Sequence, residues 1–148
     1  MAGKRFTFSL ETVLRVRKHE TERARQALLE AAVEREQHET LLADAHQRLQ
    51  NLADSPTTGG TIGTLVFRQY DAFRRDAQRA FDMARQTLQY KQQLEEEARV
   101  DLLDRRRAEE ALKNLREQQK AEHQRQEEAH DIAFLDEQAI TGFTRKKS

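Results

Sequence analysis

The chain has 148 residues, of which 35% are charged and 6% aromatic, with Lys+Arg and Asp+Glu balanced at 26 each. A chain this polar excludes a globule with a large core, because its apolar surface is too small to offset chain entropy. A net charge of zero argues against a nucleic-acid-binding footprint and, with periodic apolar residues, against disorder. Ala, Glu, Gln, Arg and Leu dominate, a mixture typical of coiled coils and long helices. Cysteine is absent, so thiolate and disulfide chemistry are excluded. No apolar run approaches the roughly 20 residues that span a bilayer. The opening MAGKRFTFSL is basic without an apolar core, so it is not a secretory signal. A cytoplasmic protein is expected.

The first periodic segment runs from about residue 8 to about residue 53. Steps of four and three trace a seam of thirteen positions: Leu10, Leu14, Arg17, Thr21, Ala24, Leu28, Ala31, Arg35, His38, Leu42, Ala45, Leu49 and Leu52. Nine are apolar, which is a heptad seam with polar interruptions. Thr7 or Ser9 can serve as N-cap. The window 55-SPTTGGTIG-63 then gathers the single proline, Pro56, and three of the five glycines. The residue before a proline is pushed out of helical geometry, and glycine permits a reversal. A turn is expected at about 54–63.

The second segment runs from about residue 64 to about residue 137. Its stripe includes Val66, Tyr70, Phe73, Ala77, Phe81, Ala84, Leu88, Leu94, Ala98, Leu102, Ala108, Leu112 and Leu115, with gaps near Lys91 and Arg105. The stripe thins after Leu115, and a basic tail is expected over 138–148. The predicted fold is all-α: one long antiparallel two-helix coiled coil, an αα-hairpin with a longer second helix. Placing Asp54 opposite Thr64 predicts that paired residue numbers sum to roughly 118. Leu28 then faces the region of Tyr90, and the second helix lacks a partner beyond about Leu112.

Chemistry is sparse. GGTIG lacks the lysine of a phosphate-binding loop. The five histidines form no HExxH and no i, i+4 pair, so neither a metal site nor a cofactor site is expected. Arg105, Arg106 and Arg107 are flanked by Asp101, Asp104, Glu109 and Glu110, which oppose phosphate binding. An elongated hairpin offers no concave active site, so an enzyme is not expected. Charge is uneven: residues 1–35 and 64–94 each carry +3, and residues 109–137 carry −5. Phe67, Tyr70, Phe73 and Phe81 crowd the start of the second helix. They either cap the hairpin on Leu42, Leu49 and Leu52 or remain exposed as interface anchors.

The opening Phe6-Thr7-Phe8-Ser9-Leu10-Glu11-Thr12-Val13-Leu14-Arg15-Val16-Arg17 resembles the N-terminus of the FliJ family, flagellar type III export coiled-coil proteins. Length, hairpin and the Tyr70-x-x-Phe73 spacing agree with that family. The resemblance implies a stalk that engages the hexameric flagellar export ATPase, touches the cytoplasmic domain of the export-gate protein FlhA and meets export chaperones. No nucleic acid and no direct membrane insertion are implied. Phe6, Phe8, Leu10, Leu14 and Arg17 would form the ATPase-facing tip. Leu42, His46, Tyr70, Phe73, Ala77, Ala80 and Ala84 would face the gate. An injectisome stalk of the same type and a self-associating structural coiled coil are the alternatives.

Overall fold

The computed structural model of the protein describes residues 3–54 and 63–147. Two helices, α1 (Glu11–Asp54) and α2 (Thr64–Lys147), make up nearly all of it. They pack against each other, and there is no strand among the described residues. Pro56, Gly59 and Gly60 of the expected turn lie outside the described residues.

Local chemistry accounts for the helix ends. Glu11 places a carboxylate in the first turn of α1, where the helix dipole favours it. The Glu11 N–H donates to the Phe8 carbonyl at 3.1 Å, and Ser9 and Leu10 form the turn that leads in. At the start of α2, the Gly63 carbonyl accepts from the N–H groups of Val66 and Phe67 at 2.9 and 3.2 Å. The far end of α2 differs from expectation, because the helix continues through residues 138–147. Gly142 is the one breaker there, costing about 1 kcal/mol against alanine. The Thr141 and Thr144 hydroxyls donate to the Glu137 and Ile140 carbonyls, both at 2.9 Å. Arg145 and Lys146 lie where the helix dipole favours cations.

The residues fall into two compact units, one comprising Met1–Thr21 with Asp104–Ser148 and the other Glu22–Leu103. In the first, the core is Phe8 and Leu14; Leu14 is 2% exposed. Arg116 Nε donates to Glu11 at 3.1 Å, and Arg105 to Glu20 at 3.0 Å. The extended segment before α1 lies along α2. Phe6 packs on the His123 ring at 5.7 Å, and His123 Nε2 donates to the Lys4 carbonyl at 2.9 Å.

In the second unit, Ala24, Leu88 and Leu102 supply buried apolar side chains. Arg35 is bonded across the seam to Glu95, and Lys91 reaches Glu34 at 2.8 Å. His46 packs on Phe81 at 5.5 Å, and the Tyr70 hydroxyl donates to the Leu52 carbonyl.

These pairs correct the predicted register. Paired residue numbers sum to between 122 (Leu52 and Tyr70) and 130 (Arg35 and Glu95), not 118. In the first unit they range from 125 to 129. The shift is about one heptad. The placement of charge favours it: the register brings Arg35 to Glu95 and Glu20 to Arg105, whereas a sum of 118 would set Arg35 at Met83 and Glu20 at Ala98. The predicted limit of pairing moves with it. Residues of the N-terminal segment still meet α2 at His123, well past Leu112.

Candidate functional site

Two surfaces stand out, one in each unit. In the second unit the predicted aromatic cluster divides. Tyr70 and Phe81 are half-buried and engaged with α1, whereas Phe67 and Phe73 are 59% and 62% exposed. For Phe67 the reason is register: α2 begins before the position that faces the end of α1, so its first turn has little of α1 to cover it. Leu65 and Val66 are exposed for the same reason.

Beside Phe73 lies an open groove of about 580 Å³. Phe73, Ala77 and Ala80 line it from α2, and Leu41, Asp44 and Arg48 line it from α1. The alanines leave the space that larger side chains would fill. Of the predicted gate-facing residues, the groove therefore unites Phe73, Ala77 and Ala80. His46 is exposed but lies against Phe81, and Leu42, Tyr70 and Ala84 are half-buried. The α1 contributors Leu41 and Arg48 were missed by sequence reading. Leu41 is a leucine off the heptad seam, beside the seam residue Leu42, and that is the sequence signal that could have identified it; it is 53% exposed.

In the first unit, the predicted tip residues differ among themselves. Phe8 and Leu14 are buried, while Phe6, Leu10 and Arg17 are half-buried. Arg17 bonds Glu20 at 3.1 Å, and Glu20 also accepts from Arg105. Partial burial pushes the Glu20 carboxyl up, but the hydrogen bonds and charges of Arg17 and Arg105 outweigh it and hold it below its ordinary value. Glu109 follows the same pattern, with Lys113, Thr21 and Lys18 opposing desolvation. In the second unit, the hydrogen bond and charge of Lys91 hold Glu34 low. These carboxylates are structural, each tied to a cation or hydroxyl.

Among the described residues no cluster of His, Asp or Glu is arranged to hold a metal ion, and no helix is long and apolar enough to cross a membrane. Arg106 and Arg107 are exposed on α2, and Arg105 is half-buried beside Glu20.

Seam and surfaces together define the class: a two-helix antiparallel coiled coil with several rings left in solvent. The family model described as "Flagellar FliJ protein" matches residues 6–148, nearly the whole chain. The chain belongs to the FliJ family, whose members are components of flagellar type III export. Comparison with curated proteins and with solved structures gives no match.

Proposed function

We propose that this protein is a non-enzymatic stalk of the flagellar export apparatus, which engages the export ATPase hexamer and links it to the FlhA gate domain and to export chaperones. The observation that carries the reading is the family match over residues 6–148. The site at the first unit is the ring-facing tip. There Phe8 and Leu14 hold the shape of the tip, and Phe6, Leu10 and Arg17 retain surface for contact. The gate-facing surface is the groove with Phe73, Ala77 and Ala80, bordered by Leu42, His46, Tyr70 and Ala84. The protein acts in the cytoplasm, held peripherally at the inner membrane through its partners. It uses no cofactor, binds no nucleic acid and transmits force or charge rather than doing chemistry.

Exposed aromatic rings beside a small-residue groove are the usual anchors of a protein interface, where truncating one side chain can remove 2 kcal/mol or more, roughly thirtyfold in affinity. Phe73→Ala is therefore expected to weaken binding of the isolated FlhA cytoplasmic domain by about tenfold or more in calorimetric titration. Its melting temperature should stay unchanged, because the ring is largely in solvent. Equal affinity for wild type and Phe73→Ala would remove the groove from the gate-facing role.

A further inference from the structure

The end of α2, which belongs to the same unit as the tip residues, carries a further face that none of them occupies. Every described side chain from 128 to 146 is exposed, although the stretch is helical throughout. Five large apolar residues are among them: Ile132 at 60%, Phe134 at 41%, Leu135 at 62%, Ile140 at 68% and Phe143 at 62% exposure, and all but Phe134, which falls on the opposite face, gather on one side. They are not scattered. At about 100° per residue, Ile132, Asp136, Ala139 and Phe143 fall within roughly 60° of one another, with Leu135 and Ile140 flanking on either side. Such a stripe is the seam of a coiled coil.

Charge identifies what covers it. Residues 127–137 contain five acidic side chains and no Lys or Arg, whereas residues 138–148 contain three basic side chains and no acid. Two copies laid parallel would set acid against acid along the whole first half. Two copies laid antiparallel set each acidic half against a basic half. The same arrangement pairs the apolar residues: Ile132 meets the partner's Phe143, Leu135 the partner's Ile140, and Asp136 the partner's small Ala139. Lys146 then falls beside the partner's Glu128. A two-fold interface must be self-complementary in both shape and charge, and this stretch has both properties within twenty residues.

We propose that the C-terminal end of α2 is a self-association surface, on which a second copy of this chain docks antiparallel through Ile132, Leu135, Ile140 and Phe143. A pairing this short is reversible, since isolated helical seams of a few turns are marginal. It does not depend on the stalk reading, because it requires no other component of the export apparatus.

The test is sedimentation equilibrium of the full chain across a wide concentration range. The mass should rise from 17.3 kDa towards twice that value as concentration increases. Ile132→Asp combined with Leu135→Asp should abolish the rise. Both side chains are exposed, so far-UV circular dichroism of the dilute protein should keep its helical signal. Lys146→Glu should weaken dimerisation by about tenfold, and added salt should weaken the wild-type dimer. Orientation is read by cross-linking, which the absence of native cysteine makes clean. A mixture of Ile132→Cys and Phe143→Cys chains should oxidise to a mixed disulfide. Ile132→Cys alone should not link, because antiparallel pairing holds its two copies roughly 16 Å apart along the helix. A constant mass of 17.3 kDa, a dimer that survives the double aspartate variant, or rapid self-linking of Ile132→Cys would each overturn the proposal.

Discussion

Leu14 shows how little of this protein is core. It is 2% exposed, and Phe8, Ala24, Leu88 and Leu102 complete the buried apolar set among the described residues. A two-helix seam has no third layer, so most seam positions stay half-exposed and each contributes modestly. Leu14→Ala should therefore cost about 2–4 kcal/mol in urea unfolding followed by circular dichroism. Val16→Ala, two residues on but 51% exposed, should cost about 0.5 kcal/mol or less. Equal costs would mean that Leu14 is not the anchor of its unit. The contrast also bears on function: loss of partner binding in Leu14→Ala would report a misshapen tip, whereas the same loss at Phe6 or Arg17 would report contact.

The pairing of α1 with α2 depends as much on charge as on apolar area. All thirteen seam positions read from the spacing of α1 are buried or half-buried, so the face of that helix was legible in the sequence. The stripe of α2 was legible from Tyr70 to Leu115, but Val66 and Phe73 proved exposed. The register was not legible from apolar spacing, for a physical reason. A heptad seam repeats itself, so sliding one helix by about seven residues again sets apolar layers against apolar layers. The charged positions break that degeneracy, and the apparent gaps at Lys91 and Arg105 are where α2 reaches Glu34 and Glu20.

Arg35 and Glu95 test this idea, because Glu95 is buried and held by both Arg35 and Arg99. Arg35→Leu leaves a largely desolvated carboxylate with one cation fewer and should lower the urea midpoint of unfolding. Adding Glu95→Leu should recover most of that loss, since an apolar pair fills the same seam. The recovered variant should be less faithful in register, visible as a broadened distribution of spin-label distances between the helices. A double variant as unstable as the single one would contradict the registering role.

The described ion pairs also set how the whole molecule responds to pH. Glu20, Glu34 and Glu109 have folded carboxyl groups held below their ordinary values by Arg17, Arg105, Lys91 and Lys113. Unfolding returns them to the usual glutamate value near about 4.3. The unfolded chain therefore binds protons first as pH falls, and stability contributed above that value drains away as pH drops towards the lower folded values. The melting temperature should hold against these groups at neutral pH and decline below about pH 4. Glu34→Gln should flatten part of the decline, and a melting temperature that rose on acidification would contradict the assignment.

The role proposed for this FliJ-family chain is that of a stalk on the export ATPase. The most direct test adds the purified protein to the flagellar export ATPase and follows turnover together with light scattering. Promotion of the hexamer with faster hydrolysis is the predicted result. Unchanged turnover and unchanged assembly at micromolar protein would contradict the claim.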